Sequence, residues 1–243
     1  MTRRSTGARR LDEMLEGGIP AGRFVLVHGP PFVGKDVLAR RFLLEGVRHD
    51  EPALVVLTDT SAREYREELA ATDPDLRPRT TPGGHVRVVD AFSRQIGVPA
   101  PEDGTEYVDG AMNLNGISAA VNHAEHEILK EHEAHRVSLD SVSTLLTYVG
   151  APTAFRFLQV LVGRASRAGA TGLLMLDAGM HTEAEVQMMK HLVHGILDLK
   201  AEGGRTYIRA EGAWLREPAS WVEYRHGLTD FEVVGSTTSG RIR

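Results

Sequence analysis

An α/β fold with a mainly parallel central sheet, helices on both of its faces and an antiparallel C-terminal extension is what this sequence predicts. Three observations lead there. Short aliphatic runs alternate with longer segments of helical period, the pattern of a parallel sheet buried between helix layers. A turn rich in Gly and Pro and ending in lysine joins the first run to the first helical segment. After about residue 194 the runs become short and alternating, with Glu-Gly-Gly and Glu-Gly turns between them, as in antiparallel hairpins.

In chain order, the runs at 24–28, 53–58, 86–90, 136–140 and 172–177 are expected as parallel strands, because each is short, aliphatic and followed by polar or acidic residues. Residues 35–47 should form the first long helix, with Val37, Leu38, Phe42 and Leu43 at helical spacing. Further helices are expected at 62–71, 117–133, 154–168 and 183–193. Right-handed crossovers would put all strand C-terminal ends on one edge, where ligands of such sheets sit. The stretches 196–199, 205–210, 213–215 and 221–224 read as the antiparallel strands, and 97–110, with Pro99, Pro101 and Gly104, as a surface loop. A polar tail begins at about residue 235.

A chain of 243 residues with 42% hydrophobic content can bury one large core, and no linker-like segment divides it, so residues 1–243 are expected as a single domain. No apolar stretch approaches a membrane span, and the first residues lack the apolar core of a signal peptide. A soluble cytoplasmic protein with no membrane partner is the expectation. The absence of cysteine excludes disulfides, thiolate metal sites and cysteine nucleophiles. A net charge of −5 supplies no general field for nucleic acid. Only four of the 28 basic residues are lysines, and one of them, Lys35, stands where a compact ammonium on a flexible stem suits a phosphate.

Around that lysine the chain reads Gly29-Pro30-Pro31-Phe32-Val33-Gly34-Lys35-Asp36, followed by Val37. This is the phosphate-loop pattern Gly-x-x-x-x-Gly-Lys-[Ser/Thr] with an aspartate in the last place. The pattern works because N–H groups of the turn and helix N-terminus face the phosphates, the lysine reaches the outer oxygens and the hydroxyl ligates magnesium. Residues 29–37 are therefore the expected binding segment for ATP or ADP with Mg2+. Gly29 and Gly34 are expected to take the unusual backbone angles, and Pro30, Pro31 and Phe32 to stiffen the loop and shape its outer face. Asp36 admits two readings: a tight magnesium ligand in an altered geometry, or a like charge that disfavours the magnesium triphosphate. Asp140, at the end of the fourth run, is expected to order a magnesium water beside the phosphates. Its structural alternative is to cap the helix that follows.

Residues 6–22 carry Thr6-Gly7, Leu11-Asp12, Leu15, Gly17-Gly18, Pro20 and Gly22 just before the first core strand. This string closely resembles the opening segment of KaiC-like ATPases of the RecA superfamily, and Leu139-Asp140-Ser141-Val142-Ser143 resembles the family's fourth-strand motif. The resemblance runs in order over most of residues 5–212. It implies a RecA-like phosphate-loop fold, nucleotide binding, and a homo-oligomeric ring, expected to be a hexamer, with nucleotide between subunits.

Departures from the family pattern bear on catalysis. Where the family's second core strand ends in two glutamates, the first polarising the attacking water, this chain has Thr58-Asp59. Threonine is no base at neutral pH, and Asp59 would have to substitute from the neighbouring position. Where the family has Lys-x-Arg-Gly on a late strand that reaches the neighbouring nucleotide, this chain has Arg209-Ala210-Glu211-Gly212. The expected function is thus an ATP- or ADP-binding regulatory or assembly protein with weak or absent hydrolysis, acting through a protein signalling partner. The alternatives are an active Mg-dependent ATPase, with Asp59 as base and Lys35 on the phosphates, and a RecA-like DNA-binding protein.

His123, His126, His132 and His135 lie among glutamates, but their spacing lacks the paired arrangement of a zinc helix, so a solvated helix is expected. His181, in the loop after the fifth run, could sense a terminal phosphate or be a turn residue. Trp214, Trp221 and Tyr224 are expected to pack in the core or on a subunit face.

Overall fold

The computed structural model describes residues 2–97, 100–216 and 220–234. The tail expected from residue 235, and Pro99 within the expected loop, lie outside the described residues. The strands are β1 (Arg3–Arg4), β2 (Ile19–Pro20), β3 (Phe24–Gly29), β4 (Ala53–Leu57), β5 (Val86–Asp90), β6 (Thr105–Tyr107), β7 (His135–Asp140), β8 (Ala170–Asp177), β9 (Gly195–Glu202), β10 (Arg205–Gly212), β11 (Val222–His226) and β12 (Phe231–Val233). The helices are α1 (Arg9–Met14), α2 (Lys35–Arg48), α3 (Ala62–Thr72), α4 (Arg77–Thr80), α5 (Ser93–Ile96), α6 (Leu114–Ile128), α7 (Val142–Val149), α8 (Ala151–Arg167) and α9 (Glu183–Lys190).

Ten strands form one sheet in the order β12-β11-β10-β9-β3-β8-β7-β4-β5-β6. The strands from β9 through β6 are parallel, and β9 to β12 pair antiparallel. Continuous aliphatic strands are buried on both faces, as parallel strands must be. Val25, Val27, Val55 and Leu57 pack under α1, α2 and α3, while Leu26, Leu54, Val56 and Leu139 pack under α6, α7 and α8. None of the described helices is long and apolar enough to cross a membrane.

The opening segment is stapled by Asp12, whose carboxylate accepts from the Thr6 N–H and hydroxyl, both at 2.7 Å, and from the Ser5 hydroxyl. At the other side of the sheet, fully buried Asp90 accepts from the N–H groups of Ala62, Phe92 and Ser93 and from the Ser93 hydroxyl. It thereby fixes the start of α3 and the turn into α5. Asp90→Ala leaves these buried donors without an acceptor, so a loss of about 3 kcal/mol is expected. Thermal denaturation should show Tm lower by roughly 6–12 °C, and an unchanged Tm would refute this role.

Three expectations about elements are corrected. Residues 142–149, expected as no element, form α7, because Val142, Leu145 and Leu146 line one buried stripe. Its N-cap is Ser141, whose hydroxyl accepts from the Thr144 N–H, so the capping role does not fall to Asp140. Residues 213–215 turn rather than form a strand. There the Trp214 ring lies across two glycines, at distances where an added Cβ would stand 2.4 Å (Gly195) and 3.2 Å (Gly212) from it. The expected loop at 97–110 also contains the short edge strand β6.

Candidate functional site

Gly29, Leu57, Asp140 and Asp177 end four neighbouring parallel strands, with Gly29 in register with Asp177 and Leu57 with Asp140. The loop from Gly29 to α2 therefore opens over a sheet edge carrying two acids. Left-handed backbone occurs at Phe32 (φ 62°) and Gly34 (φ 77°), not at Gly29, which corrects one expectation. Gly29 is required for closeness instead, since a Cβ there would stand 2.9 Å from Leu199. The Phe32 ring is 96% exposed, on the outer face as expected. Gly34 is doubly constrained, by its φ and by the His226 ring, which an added Cβ would meet at 2.6 Å. The Tyr224 hydroxyl donates to the Val33 carbonyl at 2.5 Å, so β11 buttresses the loop from behind.

This geometry leaves donors free. Helix α2 has no side-chain cap. Among the described residues no carbonyl or side chain accepts from the N–H groups of Phe32 to Asp36. A row of free amides at the start of a 14-residue helix can bind an anion. The Lys35 ammonium donates to the carbonyls of Gly29 (2.7 Å) and Pro30 (2.6 Å) and pairs with Asp177 (2.8 Å).

Asp36 faces another way. Its carboxylate pairs with Arg40 one turn on, and Arg40 also binds Glu68 of α3 at 2.5 Å and donates to the Leu228 carbonyl. The acid in the place of the usual hydroxyl is thus held in a network joining α2, α3 and the β11–β12 turn. Val37 is buried in the core beneath the loop.

At the end of β4, the Thr58 hydroxyl donates to the Ser141 carbonyl (3.2 Å) and accepts from the Ser141 N–H (2.7 Å). Both hydrogen-bonding directions are consumed by the backbone after β7, and the Asp140–Ser141 peptide there is cis. Thr58 is structural. Asp59 is exposed and accepts from the Thr144 hydroxyl at 3.4 Å. Its carboxyl is pushed up by the desolvating walls of the cleft and by Asp177, against the pull of Thr144.

Asp140 is the most perturbed acid of the site. Burial raises its carboxyl to about 7, and the charges of Asp59, Asp36 and Asp177 add to this while Lys35 opposes it. Among the described residues no side-chain hydrogen bond or ion pair engages it. The Tyr65 hydroxyl, whose own ionisation the Asp140 charge opposes, is buried without a hydrogen-bond partner among the described residues. A carboxylate kept costly in this way, facing a phosphate cradle, fits a divalent cation. Among the described residues no three His, Asp or Glu side chains group to hold a metal by themselves. Mg2+ needs only one or two carboxylates, its shell being filled by phosphate oxygens and water, so Asp140 would suffice to hold it.

The late-strand motif is also internally paired. Arg209 binds Asp198 (2.9 Å) and Glu211 (3.1 Å) and lies over the Trp221 ring, which Lys200 also covers. His28, immediately before the loop, shares Asp198 with Arg209, and both hold the Asp198 carboxyl down against the effect of burial. The cations around Trp221 were not anticipated, because nothing local in the sequence joins Lys200, Arg209 and Trp221. In the histidine-rich segment, Glu125 and His135 are buried and paired at 3.3 Å rather than solvated. The His181 Nε2 is buried without a partner.

Comparison with known proteins identifies the family and the fold. The family model for the KaiC ATPase matches residues 4–210. A UPF0273 protein of Methanocaldococcus jannaschii is 31% identical over 180 residues, 71% of this chain and 69% of that one. A circadian clock oscillator protein KaiC of Picosynechococcus is 32% identical over 169 residues, 69% of this chain but 30% of that protein. In the solved structures, a KaiC-like protein of Pyrococcus horikoshii superposes with a TM-score of 0.75 at 21% identity, covering 96% of this chain and 99% of that one, which establishes the RecA-like α/β fold. With the family model spanning residues 4–210 and a relative 31% identical over more than two thirds of each chain, this chain belongs to the KaiC ATPase family.

Proposed function

We propose that the protein binds ATP or ADP with Mg2+ between the loop at 29–37 and Asp140, and acts in the cytoplasm as a regulatory or assembly component with weak or absent hydrolysis. The observation that carries this reading is the open row of amides from Phe32 to Asp36 at the same sheet edge as a half-buried Asp140 that no side chain among the described residues engages. Bound magnesium would neutralise phosphate charge. Asp140 would hold it, with Asp36 free to join only by leaving Arg40. Weak hydrolysis follows from Thr58, whose hydroxyl is consumed by Ser141, and from Arg209, whose charge is met by Asp198 and Glu211 of its own chain. A homo-oligomeric ring and a protein partner complete the proposal on the strength of family membership.

One observation favours the second reading, an active ATPase. Asp59 stands at the same strand end, its carboxyl raised, within hydrogen-bonding reach of Thr144. The two separate cleanly. Calorimetric titration should show ATP and ADP binding that tightens with Mg2+, sizing should show an oligomer, and phosphate release should stay near background. Release that Asp59→Asn abolishes would establish the ATPase instead, and no heat of binding with either nucleotide would remove both readings.

A further inference from the structure

The Lys35 ammonium has three N–H donors, and all three are taken within the chain, by the carbonyls of Gly29 and Pro30 and by the Asp177 carboxylate. The two carbonyls belong to the loop itself. Asp177 is different, since it comes from β8 and brings a full negative charge to the place where the outer phosphates would lie.

Its position is built rather than incidental. The Asp177 N–H donates to the Ser143 hydroxyl at 2.8 Å, and the next residue's N–H, that of Ala178, donates to the Gly29 carbonyl at 2.9 Å. Residue 177 is thereby fixed between α7 and the loop. Its charge reaches the same cleft from which Asp59 and Asp140 are perturbed.

We propose that Asp177 is a built-in competitor for the phosphate-binding lysine, which sets nucleotide affinity and makes binding depend on a divalent cation. The inference rests on the nucleotide-binding reading above. A polyphosphate approaching Lys35 must break the Lys35–Asp177 pair and leave Asp177 as an unpaired charge beside its own oxygens, in a cleft already holding Asp59 and Asp140. A divalent cation held beside that charge would offset the conflict. Asparagine keeps the side-chain shape and can still accept from Lys35, but carries no charge to compete.

The test uses the full chain with Asp177→Asn and, should that variant fold poorly, Asp177→Ser. ADP affinity is measured in EDTA and in Mg2+, and acylation of Lys35 in the nucleotide-free protein is followed by mass spectrometry. Removal of the competing charge should tighten ADP binding at least tenfold in EDTA, and by less in Mg2+, while Lys35 acylates several-fold faster. Unchanged or weaker ADP binding in both variants, with wild type binding normally, would overturn the proposal. Unchanged acylation would overturn the competition of Asp177 for Lys35 itself, whatever nucleotide does. Faster acylation with no ADP binding by any of the proteins would instead bring down the nucleotide-binding reading, and the affinity claim with it.

Discussion

Lys35→Ala is expected to weaken ATP and ADP binding by roughly a hundredfold, to the edge of detection by calorimetry. The magnitude follows from the loss of a charged donor to phosphate, worth about 1.5–3 kcal/mol in a partly desolvated site, with 1.4 kcal/mol per factor of ten in affinity. The effect is amplified here because, among the described residues, Lys35 is the only cation paired at the sheet edge that carries Asp59, Asp140 and Asp177, with Arg40 occupied by Asp36 and Glu68. Removing it leaves an incoming anion facing the strand-end acids with no ammonium to oppose them. Free amides alone do not offset three carboxylates. Circular dichroism of the variant serves as the control for folding, since Lys35 is itself nearly buried. Retained micromolar binding by a folded Lys35→Ala protein would place the nucleotide elsewhere.

Much of this architecture was legible in the chain. Continuous Val- and Leu-rich runs separated by helical period leave few options other than a helix-covered parallel sheet, and the loop motif lies where a strand meets a helix. What escaped is instructive. Helix α7 was missed because its eight residues follow a strand without a Gly or Pro break, so the apolar stripe merges with the strand before it. Trp214 reads as a strand residue by alternation alone, whereas its ring lies across Gly195 and Gly212 where the chain turns. The Asp36–Arg40 pair was open to inspection, being one helical turn apart. The Lys35–Asp177 pair and the bonding of Thr58 to Ser141 were not, because each joins strand ends distant in sequence and adjacent only after β8 and β7 enter the sheet between β3 and β4.

The remaining large effect concerns Asp140 and its charge in the ligand-free protein. A carboxyl raised from 3.8 in the unfolded chain to about 7 in the folded one binds more protons folded than unfolded between those values. Stability therefore falls as pH rises through that interval and levels off above it. At 1.36 kcal/mol per unit, the ionised form costs about 4 kcal/mol at pH 8, although the small part of Asp140 that reaches solvent moderates this. In EDTA, wild-type Tm should fall by several degrees between pH 6 and pH 8. Asp140→Asn should flatten that slope and raise Tm at pH 8 by at least ~5 °C, taking about 2–4 °C per kcal/mol for a chain of this size. The same substitution should abolish the Mg2+-dependent gain in nucleotide affinity. Stability gained together with metal dependence lost is the signature of a charge held in place for a cation, because a carboxylate serving the fold would show the reverse. If Asp140→Asn lowers Tm at pH 8, or leaves the pH slope as steep as in wild type, Asp140 is part of the scaffold and the cation must be sought at Asp36.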